Sequence, residues 1–238
     1  MFKKTTAVLS ALLTGISPAP KEYCKATVGE IETVKMEQQT PDIVVRVGEY
    51  DGKPGKRVYI NPSVINIPDD IPVHADGNGF YIQEYDINLK LSKAIYTKLE
   101  AIGINVNLQI ASGKGEDLNT AGQIAVTTGT KAYLSVHHNY CDNKTAKGYE
   151  FFTNKGNTND KIIADKLSNR LANGEVPQRS NKINDGYIGE MNVTGGLMNI
   201  LYEGGFFSNL EELQVIMSDE HIEFVSTQIA EELATVLK

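Results

Sequence analysis

Among the residues of this 238-residue chain, a small set of histidines and glutamates has the types and spacing that metal-assisted hydrolysis requires. His137 closes the apolar run Ala132-Tyr-Leu-Ser-Val, and Glu203 closes the run Asn199-Ile-Leu-Tyr. Glu84 stands at the start of a long helical pattern, and His74 lies in the loop that precedes it. In open α/β sheets, ligands bind just beyond the carboxyl ends of the strands, which is where these groups fall. A catalytic zinc ion takes about three protein ligands and keeps one position open for water. His74, Glu84 and His137 would supply such a His₂Glu set, leaving Glu203 as a carboxylate able to accept a proton from the activated water. Each residue also has a plainer reading. Glu84 suits a helix N-terminus whatever else it does, His137 could be a hydrogen-bonded core histidine, and His74 an ordinary loop residue. Glu203, between an apolar strand and Gly204-Gly205, is harder to explain structurally, because burying a lone carboxylate is costly. His221, near the start of the last helix, is expected at the surface.

The elements that must position these groups alternate. Val58-Tyr59-Ile60 reads as a first buried strand. Ile87, Leu91, Ile95 and Leu99 recur at helical spacing, and Gly103 supplies the stop. Ile104–Ile110 reads as the next strand, Leu118–Val126 as a helix, Ala132–His137 and Gly148–Thr153 as strands, and Ile162 to Leu171 as a helix. Asn199–Tyr202 reads as a late buried strand, and Ser208-Asn-Leu-Glu211 as a capping box opening a helix. Ile222, Val225, Ile229, Leu233 and Val236 mark one face of a terminal helix. Strands alternating with helices predict an α/β fold with a largely parallel sheet flanked by helices. The boundaries read from sequence are an N-terminal extension over 1–55, containing one edge strand at Ile43–Val47, and a catalytic domain over 56–238.

Apolar residues make up 41% and charged residues 22% of the chain, as in globular proteins. The formal charge of −7 speaks against a nucleic-acid partner and against simple electrostatic attraction to an anionic surface. Cys24 and Cys141 are too few for a disulfide scaffold and form no CxxC metal pattern. Lys3 and Lys4 precede an apolar stretch from Ala7 to Ile16, too short to span a bilayer. It suits either a secretory signal, with a cut before Thr27, or an uncleaved arm that docks on another protein.

Three segments resemble the type-3 zinc N-acetylmuramoyl-L-alanine amidases. The first is Glu84-Tyr-Asp-Ile-Asn-Leu running through a helix to Gly103-Ile-Asn-Val-Asn-Leu. The second is Tyr133-Leu-Ser-Val-His-His-Asn139 followed by Gly148-Tyr-Glu-Phe-Phe. The third, and most specific, is Leu201-Tyr-Glu-Gly-Gly-Phe-Phe-Ser-Asn209. The resemblance implies a peptidoglycan hydrolase cutting between the muramic-acid lactyl group and L-alanine. It further implies Zn2+ held by Glu84 and His137, Glu203 as catalytic acid/base, and His138 as a neighbour of the site. Such a protein would act at the cell wall, secreted or carried on a virion or tail-like particle. The family places its first ligand, a histidine, directly after the first strand. With Val58–Ile60 as that strand, the place reads Asn61-Pro-Ser-Val, with no histidine. Three readings follow. His74 folds back to the metal, Asp76 takes its place, or the site is degenerate and the protein a non-catalytic structural or wall-recognition component. A zinc peptidase acting on the stem peptide is a further rival. It would need a cation for the peptide's terminal carboxylate, and the sequence shows none near the motifs.

Overall fold

Ile43-Val-Val-Arg-Val carries no alternation of apolar and polar residues, the pattern of a strand covered on both faces. In the computed structural model this segment is β1 (Ile43–Val47), and all five of its residues are buried. The structure describes residues 40–48, 57–60, 66–75, 79–110, 129–184 and 197–238, all in one compact unit that starts at Gln39. β1 is not an edge strand. It lies between β5 (Val106–Gln109) and β6 (Ala132–Asn139), parallel to both. The strand that sequence patterning assigned to an N-terminal extension is therefore an interior strand of the main sheet. Continuous burial, which leaves no polar face to read, accounts for the difference.

The six-stranded sheet runs β5-β1-β6-β9-β7-β8, with β7 (Tyr149–Thr153), β8 (Gln178–Asn184) and β9 (Met198–Phe206) completing it. β5, β1, β6 and β9 are mutually parallel, and β7 turns antiparallel to β9. Val58-Tyr59-Ile60 belongs elsewhere. As β2 (Arg57–Ile60) it pairs antiparallel with β4 (Phe80–Gln83), which also pairs β3 (His74–Ala75) in a small separate sheet. Val58 and Ile60 are buried while Tyr59 is exposed, the alternation of a sheet solvated on one side.

The expected helices form where their apolar spacing requires. α1 (Glu84–Ala101) buries Ile87, Leu91, Ile95 and Leu99, and Gly103 follows it at φ +82°, a conformation few other residues adopt without strain. α2 (Thr158–Leu171) is capped by Asn157, which accepts from the amides of Asn159 and Asp160. α3 (Leu210–Met217) is capped by Asn209, one residue later than expected, because Ser208 instead accepts from the Cys141 amide at 3.0 Å. α4 (Asp219–Leu237) buries Ile222, Val225, Ile229 and Leu233. Val236 is exposed, and Leu237 takes its place in the stripe. The helix expected over Leu118–Val126 lies outside the described residues. β3, β4 and β8 were not legible in the patterning. One core joins the inner residues of the four helices among the described residues to Ile43, Val45, Leu134, Val136, Phe151, Ile200 and Tyr202 of the sheet.

His221 is not at the surface. It is buried in the first turn of α4, and burial depresses its pKa to about 4. The folded state thus holds the ring neutral at pH values where an unfolded chain, titrating near 6.5, binds a proton. The stabilisation is complete above about pH 6.5 and is lost as pH falls through the window down to about 4. The full window is worth about 3 kcal/mol at most. His221→Gln should therefore flatten the acid limb of a stability–pH curve between pH 6.5 and 4. An unchanged limb in urea titrations of the variant would disprove this role.

Candidate active site

The chain leaves β1 toward β5 on one side and leaves β6 toward β7 on the other. Between the carboxyl ends of β1 and β6 the strand order reverses, which opens a crevice of the kind where α/β sheets bind ligands. His137, near the end of β6, lies in this crevice. Gly48 follows β1 directly, and a Cβ at that position would stand inside the His137 ring. Glycine is therefore required where the end of β1 passes the imidazole. In the sequence Glu49 comes next, outside the described residues.

Strand periodicity sorts the groups by face. Leu134 and Val136 of β6 point into the helical core, so Ser135 and His137 point to the other face. Likewise Tyr202 of β9 and Phe151 of β7 enter the core, and Glu203 and Glu150 take the opposite face. In register, His137 stands beside Glu203, and Glu203 stands beside Glu150. Three chemically active side chains thus lie in a row across adjacent strands, which are separated by about 4.8 Å.

Glu84, the first residue of α1, is buried and reaches the end of β6. Its Oε1 accepts from the His138 amide at 3.1 Å and from Asn88 Nδ2 at 3.2 Å, and lies 3.5 Å from His137 Nδ1. A carboxylate oxygen and an imidazole nitrogen are thereby brought together, both of them donors that zinc accepts. His138 faces the helices, as strand alternation requires. Its Nδ1 lies 2.8 Å from Asn88 Oδ1, and burial pushes its pKa down to about 3. It is a core neighbour of Glu84 and Asn88.

His74 is not brought to this pair. It lies in β3, stacked on Tyr81 with ring centroids 5.4 Å apart, and its Nε2 lies 2.7 Å from Asp86 Oδ2. Asp86 also accepts from the Gln83 amide at 3.3 Å, and burial raises its pKa despite the opposing pull of the histidine. The contact thus fastens the small sheet to the first turn of α1. Among the described residues no three His, Cys, Asp or Glu side chains form a metal-binding group. Asp76 lies outside the described residues.

Glu150 carries more of the site than its motif position suggested. Its Oε1 accepts from Asn139 at 3.0 Å and lies 3.2 Å from Arg179 Nε, and its Oε2 accepts from Asn184 at 2.7 Å. An acidic residue inside the apolar strand Tyr149–Thr153 was the available signal. Arg179, which also lies over the Phe206 ring, gave none. Glu212, in the first turn of α3, accepts from the amides of Gly148 and Phe206 and so joins the start of β7 to the end of β9.

A mostly parallel sheet flanked by helices, with a Glu–His pair at its switch point and a carboxylate on the next strand, makes this an α/β domain. The sequence pattern of the N-acetylmuramoyl-L-alanine amidase family matches residues 73–235, and the chain belongs to that family. The fold agrees. The catalytic domain of the amidase CwlV from Bacillus (Paenibacillus) polymyxa superposes with a TM-score of 0.63 at 17% identity, over 82% of this chain and 97% of that one. An N-acetylmuramoyl-L-alanine amidase from Clostridium difficile gives 0.60 at 18% identity, over 82% and 95%. The CwlD amidase from Clostridioides difficile, solved in complex with the GerS lipoprotein, gives 0.63 at 17% identity, over 83% and 98%. None of the curated proteins matches the chain. No helix among the described residues is long and apolar enough to cross a membrane.

Proposed function

We propose that this protein hydrolyses the amide bond between the muramic-acid lactyl group and the L-alanine of peptidoglycan, acting at the cell wall. The observation that carries the reading is the row His137–Glu203–Glu150 with Glu84 at its end, in a chain of the amidase family. Glu84 and His137 would hold a zinc ion, and their oxygen and nitrogen donors fit it. Bound there, zinc would polarise the scissile carbonyl and lower the pKa of water toward neutrality.

The protein's own groups do the rest. Glu203 accepts the proton of the attacking water as its oxygen bonds to the carbonyl carbon. It then returns that proton to the alanine nitrogen as the C–N bond breaks. Glu150, whose oxygens are occupied by Asn139, Arg179 and Asn184, keeps the neighbouring strand in place. Gly204 lets β9 pass the His138 ring, which a Cβ would meet at 2.6 Å. Asn88 and the His138 amide hold Glu84 in its orientation.

The test is metal content and product analysis. Glu84→Gln and His137→Ala should each lose zinc from the purified protein, and wild type should release free lactyl carboxyl and N-terminal alanine from peptidoglycan. His74→Ala should keep its zinc, because that ring serves Asp86. Zinc retained in both ligand variants would sink the assignment, and loss of zinc from His74→Ala would return that residue to the metal.

A further inference from the structure

Two segments that carry candidate active-site residues run on into the wall of one groove, and the strand before a third pairs with a strand that lines it. β4 leads into Glu84 and pairs with β2, which contributes Tyr59. β6, bearing His137, continues into the loop with Lys144 and Lys147, and β9, bearing Glu203, continues to Asn209, Leu210 and Glu211. The cavity measures about 500 Å³, within the range of small-ligand sites. Of its three apolar members, Val58 is buried, while Tyr59 and Leu210 are 66% and 43% exposed and so open to a ligand. Tyr59 is held firmly there, because its ring packs on Gly79, which has φ +142° and no room for a Cβ.

The charge of the groove singles out one part of the substrate. In a chain of net charge −7, this wall presents two ammonium groups against one carboxylate. Lys144 is pinned rather than free. Its Nζ lies 4.4 Å from the centre of the Tyr140 ring and donates to Tyr140 Oη at 3.2 Å and to the Cys141 carbonyl at 3.4 Å. An ammonium has three donors, so one remains for a ligand. The amino-sugar chain of peptidoglycan bears no charge once its lactyl groups are amidated. The stem peptide bears the carboxylates, the first being the α-carboxylate of the γ-linked D-glutamyl residue that follows L-alanine. It also bears an amine on its diamino acid, a partner for Glu211.

We propose that this groove binds the stem peptide, with Lys144 and Lys147 on the α-carboxylate of its second residue. The enzyme would thus distinguish glutamyl stems from stems amidated at that carboxylate. The proposal rests on the amidase reading for its place in catalysis. It is tested separately, by binding of the peptide alone to the full chain.

The probes are L-Ala-γ-D-Glu-L-Lys and the same tripeptide amidated at the glutamyl α-carboxylate, measured by calorimetry. The free acid should bind about fivefold tighter, the effect of one exposed ion pair, and the margin should shrink with salt. In the Lys144→Ala/Lys147→Ala double variant the margin should vanish while the amidated peptide binds as before. Equal binding of the two peptides to wild type overturns the proposal, as does a margin that survives in the double variant. Discrimination between the peptides without cleavage of the muramyl tripeptide would support the groove and remove the amidase reading. Cleavage without discrimination would do the reverse.

Discussion

Replacing Glu203 with Gln is expected to lower kcat on peptidoglycan by about 10³-fold while the protein keeps its fold and its zinc. The amide matches the carboxylate in size, so the pairing of β9 with β6 and β7 around it survives. What it loses is the capacity to take a proton from water and hand it to the departing nitrogen, and no neighbour replaces that function. His137 is the nearest in register, but it is committed with Glu84 as a donor pair. Glu150 stands on the other side, with its oxygens held by Asn139, Asn184 and Arg179. Glu150→Gln should accordingly act on stability more than on the proton transfer. The measurement is turnover at saturating substrate, together with metal content. A Glu203→Gln enzyme within tenfold of wild type would show that the proton moves by another route. Loss of zinc from that variant would place Glu203 among the ligands instead.

The legible part of this architecture followed from periodicity. α1 and α4 bury one stripe each, and their apolar residues recur every three or four positions, so helix positions could be read within a residue or two. β6 and β9 read as apolar runs ending in a charged group, which located His137 and Glu203. β1 failed for the opposite reason. A short strand buried on both faces has no alternation, and with a long polar segment after it the sequence offered nothing to show that it enters the sheet. That misplacement moved the search for the first metal ligand to the residues after Ile60 and then to His74. The structure puts the end of β1, at Gly48, against His137. The place after the first strand therefore reads Gly48-Glu49, and Glu49 is an oxygen donor of a type zinc accepts. Zinc content of Glu49→Gln, measured beside the variants above, tests whether it fills that role. β3, β4 and β8 were invisible because two to seven residues of mixed polarity are too few to show a strand period, and β8 also depends on β7, some way off in sequence. His221 was misjudged because an imidazole in a first helical turn looks the same in sequence whether it faces solvent or α4's packed side.

Glu212→Ala is expected to cost about 3 kcal/mol of stability and about 10² in kcat, although the residue lies outside the reacting row. The carboxylate is buried and takes the Gly148 amide at 2.8 and 3.1 Å on its two oxygens, and the Phe206 amide on Oε2. Truncation leaves these two backbone donors without their acceptor in a place water does not readily reach, at about 1–3 kcal/mol each. Burial raises the Glu212 pKa, so the site already strains against holding a charge and keeps it through those two amides. The catalytic consequence follows from position along the chain. Gly148 precedes Glu150 on β7, and Phe206 follows Glu203 on β9, so Glu212 clamps both strands next to the row. Gly205, between them at φ +130°, gives β9 a bend that the clamp must hold, and a Cβ there would lie 3.2 Å from Glu212 Oε2. Without the clamp, the carboxylate of Glu203 drifts relative to His137, and a displacement of about 1 Å is enough to cost two orders of magnitude. Glu212→Gln keeps one acceptor oxygen and should recover about half of the stability while restoring part of kcat. Urea unfolding midpoints at constant m-value, with kcat and KM measured on the same preparations, check both parts. A Glu212→Ala protein as stable and as active as wild type would show that the ends of β7 and β9 are held by other means. A protein destabilised but fully active would confine Glu212 to the fold.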